Sequence, residues 1–179
     1  MKRLTLLRHA KSDWGDRGAR DFDRGLNDRG MRAAFAIGRH LRATGAAFDH
    51  VIASDAVRVV ETLSGVERGL ARWLGVEWDR RLYLASVQVL LDMVHGLPPA
   101  ASHALIAGHN PGLEDLALML VPEIPGDHHR AALAEKLPTG SLVMLAFDVD
   151  DWGTITAGQI TDFVRPRDLD PSLGPDGED

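Results

Sequence analysis

Two arginines and two histidines in this chain are placed to act on a single anion: Arg8-His9, Arg58 and His109. Each follows a short apolar run. Arg8-His9 comes after Leu4-Thr5-Leu6-Leu7, Arg58 lies just past Val51-Ile52-Ala53-Ser54-Asp55, and His109 follows Ala104-Leu105-Ile106-Ala107-Gly108. A guanidinium is a planar, permanently charged fork that grips phosphate oxygens, and an imidazole with a bare nitrogen is a nucleophile or proton carrier near neutral pH. Together they suit phosphate binding or phosphoryl transfer, with protein cations meeting the negative charge. Ordinary roles compete with this reading: salt bridges for Arg8 and Arg58, a hydrogen-bonded histidine at His9, a capping-region residue at His109. The dipeptide alone says little, because Arg39-His40 recurs inside a predicted helix, where it reads as a solvated face. Lys11 and Ser12 are subsidiary candidates for touching the same ligand.

Asp127-His128-His129 is metal-like in composition, but adjacent histidines lack the i, i+4 spacing of a helical zinc pair, so this stretch reads as a solvated loop and no metal is implied. His50, His95 and His103 fall at element ends and read as structural. The chain has no GxGxxG, no phosphate loop ending in Gly-Lys-Ser/Thr and no Gly-x-Ser-x-Gly elbow, so dinucleotide, NTP and serine-hydrolase readings lose their main support.

The elements that must carry these residues follow from hydrophobic patterning. Residues 3–7, 50–54 and 103–108 are short apolar runs suited to buried parallel strands. Helices are predicted from an Asn27 N-cap to Gly45, from Asp55 to Trp73 with a stop at Gly75, briefly after Ser86, and after Asn110-Pro111, with Asn as N-cap and Pro at the first helical position. Val76 to Leu82 reads as a short strand and Pro122 to Pro138 as a loop. Ser141–Phe147 and Thr154–Phe163 flank a turn-rich Asp148–Gly153 and predict an antiparallel hairpin at a sheet edge. Alternating strands and helices imply an α/β fold, a three-layer α/β/α sandwich with a mostly parallel sheet. In such sheets ligands bind beyond the carboxyl ends of the strands, where the four residues fall.

At 179 residues, 45% hydrophobic and 26% charged, the chain suits one globular domain, taken as residues 1–165, followed by a loosely held tail over 166–179 containing Pro, Gly and acidic residues. Lys and Arg total 20 against 26 Asp and Glu, a net charge of −6, which disfavours nucleic acid and acidic membranes as partners. The absence of cysteine excludes disulfides and thiolate chemistry and points to a reducing cytoplasm, and the charged start does not read as a signal peptide.

Three segments in this order resemble the histidine phosphatase superfamily, with its phosphoglycerate-mutase-like fold, and within it the small SixA-type phosphohistidine phosphatases. They are Leu6-Leu7-Arg8-His9-Ala10-Lys11-Ser12, then Ser54-Asp55-Ala56-Val57-Arg58 with Glu61-Thr62, then Ala107-Gly108-His109-Asn110-Pro111-Gly112. Arg24 to Gly30, Leu82 to Ser86 and Leu137 to Ser141 add to the likeness, which extends from Leu4 to about Pro166. The resemblance implies His9 as the nucleophile of a two-step phosphoryl transfer, Arg8, Arg58 and His109 as the phosphate pocket, and no cofactor or metal. It implies a phosphorylated protein as partner, bearing phosphohistidine. The alternatives are a small phosphate ester as substrate and a non-catalytic module that binds phosphate or a phosphoprotein. His109 is expected to be protonated when phosphate is bound. One departure matters: where many superfamily members carry a general-acid glutamate, this chain has Tyr83 and Leu84. Asp55 and Gly25 are smaller departures that bear on loop shape.

Overall fold

The computed structural model describes residues 1–15, 18 and 20–174. Six strands form one sheet in the order β3-β2-β4-β1-β5-β6. These are β1 (Lys2–Arg8), β2 (His50–Ala53), β3 (Glu77–Trp78), β4 (His103–Gly108), β5 (Leu142–Phe147) and β6 (Gln159–Val164). The first four run parallel, β5 is antiparallel to β1, and β6 pairs antiparallel with β5 at the edge.

Alternation along the strands builds two apolar layers. Leu4 and Leu6 of β1, Ala104 and Ile106 of β4, and Val143, Leu145 and Phe147 of β5 face one side. Leu7, Leu105, Ala107 and Leu142 face the other. Helices α3 (Val87–His95), α4 (Gly112–Leu120) and α5 (His128–Glu135) cover the first face, through Leu90, Val94, Leu113, Leu116 and Leu133. Helices α1 (Asp28–Ala43) and α2 (Val57–Leu70) cover the second, through Ile37, Leu41, Val59, Leu63 and Val66. Each fully buried leucine or isoleucine contributes about 1.5–3 kcal/mol of transfer free energy, so this two-sided core holds the sheet on which the site rests. The two helices of the second face meet at backbone distance: a Cβ on Gly38 would strike the Val66 carbonyl, and one on Gly69 the Phe35 carbonyl.

The expected α/β/α sandwich is therefore present, with local corrections. Helix α2 stops at Leu70 and leaves through Ala71 in the left-handed region (φ 55°), ahead of Gly75. The strand expected over Val76–Leu82 is only Glu77–Trp78, because the Asp79 carboxylate accepts from the Arg81 amide at 2.8 Å and turns the chain into a 3-10 turn. The expected loop from Pro122 to Pro138 contains α5, whose N-cap Asp127 accepts from the Arg130 amide at 2.9 Å; His128 and His129 open that helix and are not loop residues. Helix α4 begins at Gly112 and has Pro111 as its N-cap. Asn110 does not cap it: its Nδ2 donates to Glu114 and to the Leu137 carbonyl, both at 3.1 Å, and its Oδ1 takes no amide of the helix. In the β5–β6 connection Trp152 is fully buried and donates its indole N–H to the Ala101 carbonyl at 2.8 Å, so the strands pair without a tight turn. Residues 166–174 are not loose: helix α6 (Pro166–Leu169) and a following 3-10 turn lie on α1, with Leu173 buried, Arg29 donating to the Gly174 carbonyl at 3.0 Å and Arg32 to Ser172 at 3.2 Å. The end of the expected tail lies outside the described residues. Among the described residues no helix is long and apolar enough to cross a membrane.

Candidate active site

Strands β2, β4 and β1 are neighbours with Ala53 opposite Ala107 and Gly108 opposite Arg8, so their carboxyl ends lie side by side. The ladder extends one residue further: the His9 amide donates to Gly108 and the Ser54 amide to Ala107, both at 3.0 Å. His9, Ser54 and His109 thus stand in a row, with the His9 and His109 rings 5.3 Å apart. His9 Nδ1 is 2.8 Å from the Ala10 carbonyl oxygen. A carbonyl can only accept, so Nδ1 carries the proton and the lone pair sits on Nε2.

Arg58 enters from the first turn of α2 and is 5% exposed. Its Nη2 donates to His109 Nδ1 at 3.2 Å. Since Nδ1 accepts, Nε2 bears the hydrogen of neutral His109 and donates to Ser54 Oγ at 2.9 Å. Burial, and then the nearby His9 and Arg58, push the His109 pKa down to about 3. The phosphate-free site therefore holds a neutral His109, and the imidazolium expected at this position requires the arriving dianion to supply the compensating charge.

Arg8 is set from the opposite side. Its Nη1 donates to the Leu137 carbonyl at 2.9 Å, and its amide donates to Ser141 at 3.0 Å. The Leu137 carbonyl also accepts from Asn110, while the Leu137 amide donates to Glu114 at 2.6 Å. The residues after His109 thus fix the segment against which Arg8 lies. Thr62 ties the remaining pieces: its hydroxyl accepts from the Ala10 amide at 2.9 Å and donates to the Arg58 carbonyl at 2.6 Å. Beside it, Glu61 accepts from the Leu26 amide at 2.6 Å.

The structure thus brings Arg58 and His109 into direct contact, with His9 alongside and Arg8 one residue before it at the end of β1. Lys11 and Ser12 are placed differently. Ser12 is buried and bridges to Leu26, and Lys11 helps line a small cleft with Arg29, Thr139, Arg165 and Arg167. Asp55 pairs with Arg80 at 2.9 Å, and Gly25 leaves room for the Glu61 carboxylate. Among the described residues no three His, Asp or Glu side chains gather as a metal-binding group.

Asp21 was not legible as a site residue. It comes from a 3-10 turn, Asp21–Asp23, in the charged stretch before α1, where no periodicity or motif marks it. Its carboxylate takes Arg58 Nη2 at 3.0 Å and the Tyr83 hydroxyl at 2.6 Å. The Tyr83 hydrogen bond above all, with Arg58 and Arg24 beside it, holds this carboxyl below the usual range against the opposing effect of burial. Tyr83 meets the His109 ring edge-on at 5.3 Å.

The profile of the histidine phosphatase superfamily (branch 1) matches residues 4–83, the part of the chain holding Arg8, His9 and Arg58. An uncharacterized protein of Mycobacterium tuberculosis strain H37Rv is 31% identical over 167 residues, covering 90% of this chain and all of the relative. Among solved structures, the SixA protein of Agrobacterium tumefaciens, assigned as a phosphohistidine phosphatase, is 28% identical with a TM-score of 0.77, over 92% of this chain and 98% of that one. That of Nakamurella multipartitia is 27% identical with a TM-score of 0.80, over 92% and 96%. The profile match and the full-length likeness agree, and the chain belongs to the histidine phosphatase superfamily, in its SixA-type branch, as a hydrolase of the phosphatase class.

Proposed function

We propose that this phosphatase removes the phosphoryl group from protein phosphohistidine, without a metal, through a phosphohistidine formed on His9. The observation that supports this most is the pairing of a His9 whose lone pair lies on Nε2 with Arg8 and a neutral His109 at adjacent strand ends and with Arg58 from the first turn of α2. In the reading, Nε2 attacks phosphorus in line and the arginines take the equatorial oxygens, on which charge spreads in the transition state. His109 meets a further oxygen and gains a proton as the dianion raises its basicity. Water then attacks the phosphoenzyme and orthophosphate leaves. In this reading no phosphate contact of the cage is assigned to Lys11 or Ser12, which lie toward the Arg29–Arg165 cleft and Leu26.

The SixA-type relatives support a phosphohistidine substrate, as does the chain between Tyr83 and His103. It holds one helix, α3, packed into the core through Leu90 and Val94, and so supplies no large lid to enclose a small molecule. Orthophosphate or a phosphoryl protein fits the same cage, and the absence of cysteine supports a cytoplasmic setting.

The test uses a phosphohistidine protein and 4-nitrophenyl phosphate, with rapid quenching. The wild type should yield an acid-labile, base-stable phosphoenzyme and turn over the phosphohistidine protein with the higher kcat/KM, whereas His9→Ala should do neither. A phosphoenzyme on His9→Ala would remove His9 as nucleophile. A higher kcat/KM for the small ester would move the substrate to that class, and phosphate binding without turnover would leave a binding module.

A further inference from the structure

Where superfamily members carry a general acid, this chain has Tyr83, and the Tyr83 hydroxyl leads to a carboxylate that arrives from elsewhere in the chain. We infer that Asp21 is the proton-transferring group of the reaction, acid in the first step and base in the second; the inference rests on the His9 phosphoenzyme reading above.

Three observations carry it. First, the turn bearing Asp21 is built onto the site: Arg58 Nη1 donates to the Asp21 carbonyl at 2.6 Å, and Phe22 packs edge-on to Tyr83 at 5.0 Å with Arg80 stacked over it at 3.9 Å. Second, the carboxylate shares one nitrogen with the phosphate wall, since Arg58 Nη2 serves both Asp21 and His109 Nδ1. Third, the Asp21 side chain is 47% exposed while that of Arg58 is 6% exposed, so the carboxyl stands at the mouth above a buried guanidinium. A leaving group still attached to a protein must lie on that solvent side.

An ionised carboxylate beside a bound dianion is unfavourable, which explains how the role switches on. In the free site Tyr83 and Arg58 keep Asp21 charged. An arriving phosphoryl group competes for Arg58 and brings like charge, and both changes favour the protonated carboxyl. The groups facing Asp21 among the described residues are Arg58 from α2, Tyr83, Arg24 on its own segment at 3.4 Å, and His109 at the end of β4. The Tyr83 hydroxyl and Arg58 Nη2 both donate to Oδ2, so the transferred proton is assigned to Oδ1, whose partner is the exposed, longer contact from Arg24 Nη1 at 3.4 Å. In the first step the N–P bond to His9 forms as the bond to the leaving atom breaks; the leaving atom keeps that electron pair and takes the Asp21 proton. In the second, water oxygen bonds to phosphorus, the N–P electron pair returns to His9 Nε2, and a water proton goes to the Asp21 carboxylate.

A series of substituted phenyl phosphates tests this, because a nitrophenolate leaves without a proton and an unsubstituted phenolate gains from one. For Asp21→Asn, kcat/KM should fall about a hundredfold or more on phenyl phosphate. On 2,4-dinitrophenyl phosphate the fall should be several-fold at most, so the leaving-group dependence steepens. Tyr83→Phe should move the alkaline limb of the phenyl phosphate profile to higher pH, because the hydroxyl that favours the carboxylate is gone. Equal losses on both esters would reduce Asp21 to a positioning partner of Arg58, and an unchanged slope or an unmoved limb would likewise overturn the proposal. A wild type that forms no phosphoenzyme would instead overturn the His9 reading, so the two failures are distinguishable.

Discussion

Lowering the pH from 7.5 to 5 should cost the fold about 4 kcal/mol through two buried histidines. His109 is 3% exposed and His103 is 5% exposed, and burial is the leading cause that drops their pKa values to about 3 and about 4. Burial, and then the nearby Arg3, disfavour the charged form of His103, whose Nε2 lies 2.9 Å from the Thr5 hydroxyl. In the unfolded chain both return to the ordinary value of 6.5 and take up protons that the native state refuses. Stability is therefore complete above about pH 6.5 and declines as the pH falls toward the folded values, by roughly 2 kcal/mol per histidine at pH 5. The depressed carboxyls act lower: Asp21 and Asp168 sit below the ordinary 3.8, so their stabilisation is lost only under more acid conditions and leaves this window to the histidines. Urea unfolding at several pH values in a phosphate-free buffer measures the slope. His103→Gln should remove about half of it, and saturating orthophosphate should flatten what remains, because the bound dianion lets His109 hold its proton. A stability that is level from pH 7.5 to 5, or that rises toward acid, would refute the assignment of both histidines as neutral.

Thr62→Val keeps the shape of the side chain but leaves the buried Ala10 amide without its acceptor, so it should cost about 1–3 kcal/mol in urea unfolding and lower activity by disturbing the residue after His9. Chelators should leave phosphoenzyme formation unchanged, because the proposed mechanism assigns charge stabilisation to Arg8, Arg58 and His109; inhibition reversed by an added divalent ion would count against the metal-free reading.

Much of the site could be read before the fold was known. Arg8, His9, Arg58 and His109 each sit at a strand end or a helix start, positions that apolar runs and capping residues mark locally, and parallel packing of those strands makes their ends converge. The Asn27 cap was legible for the same reason: its side chain accepts from the Gly30 amide three residues on, at 2.8 Å, an interaction contained within its own segment. Elements held mainly by distant partners were not. Helix α5 has one fully buried apolar anchor, Leu133, too few to establish a period, and residues 166–174 look like a tail until Leu173 finds its place on α1.

The sequence by itself determined the layer order of the fold, the acidic balance and the four cationic or imidazole groups at the strand ends, because period-2 alternation, caps and residue type are local properties. Tertiary structure alone decided how those groups are poised. The neutral His109 follows from burial beneath strands and helices far apart in the chain, and its tautomer from an Arg58 contact across 51 positions. The Asp21 carboxylate reaches the site only because the turn before α1 folds over α2 and meets Tyr83, 62 positions away. Desolvation and long-range hydrogen bonds depend on which segments become neighbours, and no local pattern encodes that.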